Sequence, residues 1–261
     1  MRRWIRYKIK LETKAPFRIG GVKPIPGTSD VDSPVVKLGD KIVVQGTSFK
    51  GAFRAELERY LIDCFFDKES NRWSNAWVKP CIPADEKTIS HDEKKLVEKE
   101  IFKYSCSYPK EKDYICPICY LLGARGLVGY VEVPFLRLVK GSPEILPFIR
   151  ADRVTGTSAK GEKGALGKFE AMPEGSVFEG TLTILEEDDI IGWRLGEPRD
   201  LAGSKGDEWL KSGDWTKERI LRELIEERLV NIKKLGGYKS KGFGDVKITL
   251  SKEGSDATGK A

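Results

Sequence analysis

Three groups of residues have the types and spacing to do chemistry. "CPIC" sets Cys116 and Cys119 in a C-x-x-C knuckle, with Cys106 and Cys81 upstream in the same irregular block. Thiolates brought together in this way are what Zn²⁺ selects, and a loop-rich block gains a staple from the metal. His91, the only histidine in the chain, is an alternative ligand in place of Cys81 or Cys106. No thioredoxin-like strand–helix context surrounds the knuckle, which argues against a redox role. The second group, "GGYKSKGFG" at 236–244, sets Gly236, Gly237, Gly242 and Gly244 around Lys239, Ser240 and Lys241. Glycines let backbone approach a polyanion, successive amides form an anion nest, and lysines add phosphate contacts. The third group is acidic: Asp30, Asp32 and Asp40. Asp30 and Asp40 read as turn formers. One histidine excludes two-histidine ribonuclease chemistry and argues against a Ser–His–Asp triad, so carboxylates are left as bases or metal ligands.

"GTSFKGAFRAELERYL" at 46–61 is a further candidate. Phe49, Phe53, Leu57 and Leu61 recur with the period of one buried helical face, and Thr47 or Ser48 is placed to cap the first turn. Gly51 inside the helix costs about 1 kcal/mol relative to alanine. Lys50 and Arg54 near the start oppose the helix dipole. An anion at this end would account for both, although on this segment alone a capped surface helix with a solvated basic turn is the favoured reading. Cys64 falls on the apolar stripe and reads as core.

The elements that must position these groups belong to a chain of 261 residues, enough for one large core. Lys+Arg total 46 against Asp+Glu 40, a formal charge of +6 that permits a nucleic-acid partner without requiring one. The chain contains no apolar run of membrane-spanning length, its basic start lacks a signal-peptide core, and five cysteines do not suggest a disulfide framework. These features point to a cytoplasmic protein.

The start reads as a strand alternating through Trp4, Tyr7, Ile9 and Leu11. A Gly/Pro-rich loop (17–34), the strand "KIVVQ" and the helix above follow. Residues 64–120 read as an insertion, with a charged helical piece near "DEKKLVEKEIFKY". Strands are expected at 127–139 and 177–185, a polar stretch at 186–214, and a second amphipathic helix in "DWTKERILRELIEERLVNIKKL". A glycine-rich turn, a final strand and a disordered tail (251–261) complete the chain. Without its insertions, this order predicts an α+β fold: a ferredoxin-like, RRM-related antiparallel sheet with two helices on one face.

Taken together, the motifs resemble the RAMP superfamily of CRISPR proteins, and more narrowly the repeated backbone subunit of type III interference complexes. "GTSFKGAFR" is similar to its G-[ST]-S-[LF]-K-G-x-x-R segment, and "GGYKSKGFGDVKI" to its C-terminal glycine-rich loop. "DSPVVK" matches an Asp-x-Pro-Val segment and "CPICYLLG" a cysteine-knuckle region. "IRADRVTGTSAKGEKGALGKFEAMPEGSVFEG" looks like its thumb. The departures are "VQGTSFKG", where the family often has Ile-Pro before the glycine, and the longer 64–106 insertion. The resemblance implies one domain over 1–250, with a zinc-binding insertion at 64–120 and a thumb β-hairpin at 137–176. It also implies copies of the chain lined up along a crRNA with other type III subunits, and target RNA cut at regular intervals. By position, Asp32 would be the cleavage residue, working with Mg²⁺ or Mn²⁺. Ser48, Lys50, Arg54, Arg153, Gly236, Gly237, Lys239, Ser240, Lys241 and Gly242 would hold RNA. The alternatives are a purely structural RAMP subunit, a guide-processing nuclease (disfavoured by the single histidine) and a zinc-stapled protein-interaction module.

Overall fold

The long first strand, β1 (Arg2–Thr13), is the spine of the sheet. Ile5, Tyr7, Ile9 and Leu11 point inward in strict alternation, with charged residues between them facing out. Trp4 stands three residues from Tyr7, an odd separation that puts it on the opposite face of the strand, and it is only partly buried. The computed structural model describes residues 1–21, 31–84, 86–109, 113–149 and 166–253.

Short strands β2 (Lys37–Leu38) and β3 (Lys41–Val44) form a hairpin leading into helix α1 (Gly46–Phe65). The hairpin turn holds Gly39 and Asp40, in keeping with a turn-forming aspartate. β4 (Phe66–Asp67) pairs with β5 (Arg72–Trp73), and α2 (His91–Glu98) is closed by a capping box between Ser90 and Glu93. α3 (Pro117–Leu122) starts on Cys116 with proline in its first turn. β6 (Val131–Glu132) and β7 (Leu136–Lys140) replace the single strand expected there. Pro134, which has no N–H to give a ladder, lies in the break.

β8 (Glu144–Ile149) and β9 (Leu166–Ala171) pair antiparallel as a separate two-stranded unit within the expected thumb region. β10 (Val177–Asp188) then returns along β1, with β11 (Trp193–Arg194) on its end. Helix α4 (residues 217–230) is α-helical at Lys217–Arg219, π-helical at Ile220–Glu226 and α-helical again at Glu227–Val230. Its expected face of Ile220, Leu221, Leu224, Ile225 and Leu229 is buried. β12 (Val246–Lys252) closes the sheet, whose order is β12-β1-β10-β7-β3-β2, with β6 and β11 also on β10. The fold is therefore α+β, built on an antiparallel sheet. β12 includes Ser251 and Lys252, paired with Lys8 and Tyr7, so the last strand outruns the expected start of the tail.

The 64–120 block, expected as an insertion without a core of its own, joins the main core. All six residues of α3 are buried, and Val78, Cys81, Cys106, Ile115 and Cys116 belong to the same apolar cluster as α1. Cys64, expected in the core, is exposed. The helical period does bring it onto the stripe, but it lies in the last turn of α1, beyond Leu61, the last buried residue of that face.

Candidate nucleic-acid groove and metal centre

Helix α1 presents two working faces. Its N-cap is Gln45, which makes no side-chain cap, and its first turn holds no acidic residue. The expected Thr47 or Ser48 cap is therefore replaced by a start two to three residues earlier, with Ser48 inside the helix. Among the described residues, neither a side-chain cap nor an acidic residue of the first turn meets the orphan amides and the positive end of the dipole. Ser48, Gly51, Ala52 and Ala55 share one small-residue face, spaced three and four apart. That face forms one wall of a groove of about 410 Å³, whose other wall is Ile19, Gly20, Leu235, Gly236, Gly237 and Lys239. Two segments nearly two hundred residues apart in sequence thus meet across one cleft. A Cβ added at Gly51 would find no atom within 4 Å. Protein packing does not require that glycine, and its absent side chain leaves the groove wall low.

The glycine-rich loop is held rigidly. Gly236 has φ +87°, and a Cβ there would come within 2.4 Å of the Arg18 carbonyl oxygen, so only glycine fits. Gly237 donates its N–H to that same carbonyl at 2.8 Å. Tyr238 adopts φ 59°, a left-handed conformation unusual for a bulky residue. It is held by edge contacts to Phe169 (5.4 Å) and Phe243 (5.9 Å) and by the Arg18 guanidinium 5.4 Å above its ring. Lys239–Lys241 form a 3-10 turn that ends on Gly242 at φ +81°. Lys239, Ser240 and Lys241 are exposed.

Asp32 lies on a short extended segment pinned to β9. Its N–H donates to the Lys168 carbonyl at 3.0 Å, and its Oδ2 accepts the Lys168 N–H at 2.9 Å. Buried Arg18 ties the neighbourhood together, donating to the carbonyls of Ser33 (3.1 Å) and Glu170 (3.2 Å). The Glu170 carboxylate accepts the Val35 N–H. Arg18 escaped sequence reasoning because an arginine in a Gly/Pro-rich loop carries no periodic signal. Asp32 itself is exposed. Asp30 and Arg153 lie outside the described residues.

The second face of α1 meets the cysteines. Cys81, Cys106, Cys116 and Cys119 are all buried, and their sulfurs lie within 4.8 Å of one another. The Cys81 and Cys119 sulfurs lie 3.3 Å apart. A tetrahedral ion with Zn–S bonds of about 2.3 Å needs sulfurs about 3.8 Å apart, so the set fits a structural metal such as zinc. The Cys116 N–H donates to the Cys106 sulfur at 3.4 Å, as expected where backbone steadies a thiolate. Hydrogen bonds from the Cys106, Cys116 and Cys119 thiols hold Cys81 well below the ordinary thiol range, while burial pushes Cys116 well above it. Four such thiols do not all ionise without a cation among them. Both upstream cysteines join the set. His91 stands exposed at the start of α2, outside it.

Lys50 and Arg54, expected on RNA, reach this knuckle rather than the groove wall. Lys50 Nζ donates to the Leu122 carbonyl at the end of α3 (2.6 Å). Arg54 donates through Nη2 to the Cys81 carbonyl (2.6 Å) and sulfur (3.4 Å), and through Nε to Glu58 (2.8 Å). Burial opposes its charge, but the potential of Cys81, Cys119, Cys116 and Glu58 outweighs that and raises its pKa.

A family model of the RAMP superfamily matches residues 10–247, nearly the whole chain. The protein belongs to this superfamily of CRISPR-associated, RNA-binding proteins. No curated protein matches the chain at a significant level. Among the described residues, no helix is long and apolar enough to cross a membrane.

Proposed function

We propose that the protein is the crRNA-binding backbone subunit of a type III CRISPR effector complex, cutting complementary target RNA at regular intervals. The observation that carries the reading is the groove, in which an uncapped helix start and a glycine-lysine loop face each other across an open Gly51. An RNA backbone suits such a cleft. Phosphates take up orphan amides and lysine ammonium groups without needing any base sequence. Ser48, Gly236, Gly237 and Lys239 line it, with Ser240, Lys241 and Gly242 continuing the loop. The order β12-β1-β10-β7, with one helix between β1 and β7 and the other between β10 and β12, supports a ferredoxin-like core. The β8–β9 hairpin serves as the base of the thumb, and the four cysteines hold one zinc ion.

Cleavage in this reading is attack by a ribose 2′-hydroxyl on the adjacent phosphorus, expelling the 5′-oxygen and leaving a cyclic phosphate. Asp32 orients the hydroxyl or a divalent ion beside it. Among the described residues only the cysteines form a cluster of metal-ligating side chains, so such an ion would share Asp32 with RNA oxygens. The bond from Lys168 to Asp32 Oδ2 favours a second reading, in which Asp32 is a structural pin and the subunit only binds the guide. Single-turnover cleavage of a saturating complementary RNA by the assembled complex separates the two. Asp32→Ala is expected to assemble and bind normally and to lose at least about a hundredfold in rate, as for a positioned acid–base or ligating group. Cleavage at the wild-type rate by that variant would establish the structural reading.

A further inference from the structure

An ion held by four thiolates leaves a net charge of roughly −2 in a site where every ligand is buried, and a buried charge needs a partner. Arg54 is a buried cation that donates to two of the sulfurs. Its Nη2 lies 3.4 Å from Cys81 Sγ and its Nη1 4.0 Å from Cys119 Sγ. Burial opposes the Lys103 charge and Cys106 favours it, but its ammonium donates to the Tyr114 carbonyl and to Asp113 and not to a sulfur. The rest of the Arg54 fork is fixed as well, by the Cys81 carbonyl and by Glu58 one turn along the helix, and its side chain is only 14% exposed.

We infer that Arg54 is a positioning residue of the metal centre. Its guanidinium offsets the thiolate charge, holds Cys81 and Cys119 in ligating geometry and anchors α1, the groove helix, to the knuckle. The inference rests on reading the four cysteines as a metal centre. A planar fork suits the task because it serves two sulfurs, a carbonyl and a carboxylate at once, which a lysine ammonium on a flexible stem does not. Lys50, one turn earlier, adds a second tie at the Leu122 carbonyl.

The test uses the full-length chain with Zn²⁺, and with Co²⁺ as a spectroscopic probe. Wild type is expected to hold about one equivalent of zinc, the capacity of a single four-thiolate site. Arg54→Gln should yield it to a chromophoric chelator about ten- to a hundredfold more readily, the usual cost of losing a group that supports a metal ligand. Arg54→Lys should fall between them, with a shifted sulfur-to-cobalt charge-transfer band. Arg59→Gln, on the same helix but paired with Glu56, should match wild type. If Arg54→Gln fails to fold by circular dichroism, Arg54→Lys decides, and wild-type transfer and cobalt bands in that variant would overturn the inference. Wild-type zinc transfer by a folded Arg54→Gln overturns it while leaving the metal centre standing. A wild-type chain that takes up neither metal removes both. With zinc bound, Arg54→Gln should also keep the wild-type salt dependence of RNA binding. A slope reduced by about 0.7 with normal zinc transfer would make Arg54 a phosphate contact instead.

Discussion

At the scale of single residues, Gly51 is the most informative. Glycine in a helix interior costs about 1 kcal/mol against alanine, and no described residue crowds the position. Gly51→Ala should therefore stabilise the free protein, raising Tm by about 2–4 °C for a chain of this size. The same methyl group stands on the groove wall and should weaken single-stranded RNA binding. A thermal scan and an RNA titration on one preparation check both halves, and a variant that is more stable with unchanged RNA affinity would clear the wall of any contact. The sequence made Gly51 conspicuous but was silent on which way the nearby cations point. Lys50 and Arg54 sit four apart on the edge of the apolar stripe. Helical period alone does not say whether such an edge meets solvent, RNA or another loop of the same chain.

At the scale of elements, the cysteine block and the 196–207 loop are stapled to the core in different ways. Sequence spacing pointed to Cys81, Cys106, Cys116 and Cys119 but left His91 open in place of either upstream cysteine, and only the fold groups the four sulfurs. Spacing could not show that α3 is wholly buried, because a six-residue helix displays too little period to reveal a face. Since α3 packs in the main core, Cys116→Ser or a strong chelator should lower the melting temperature of the whole chain in one transition. Two separate transitions would mean that the block melts on its own. The loop is held by Arg199 and Asp207, a bidentate pair with both side chains fully buried. The Arg199 guanidinium also lies 4.7 Å from the ring centre of Tyr120 on α3 and 5.1 Å from that of Trp193. Arg199→Met strands the carboxylate and should cost about 3–5 kcal/mol in urea unfolding, much of it recovered by adding Asp207→Leu. The 186–214 stretch looked merely polar in sequence, since pairing of this kind leaves no periodic trace.

For the molecule as a whole, RNA binding depends on which positive charges are free to meet it. A formal charge of +6 spread over 46 cations says little, because many are matched locally. Arg2, Arg3 and Lys8 pair with Asp188, Glu187 and Glu179 across β1 and β10, and Arg219 and Arg222 with Glu223 on α4. Lys239 and Lys241 have no carboxylate partner among the described residues; Lys239 lines the groove, and Lys241, its ammonium 5.0 Å from the Tyr238 ring centre, continues the loop beside it. A cation already paired releases no net counterion when RNA arrives, whereas an unpaired one does. Lys239→Ala with Lys241→Ala should therefore flatten the log–log salt dependence of single-stranded RNA binding by about 1.4, or about 0.7 for each lost phosphate contact. Arg222→Ala, which removes the same kind of charge from a matched pair, should leave the slope unchanged. The measurement is a set of RNA titrations with each variant between low and physiological salt. Equal slopes in all variants would move the RNA path off this groove, whereas a loss confined to the loop variant would locate the guide backbone between α1 and residues 236–242.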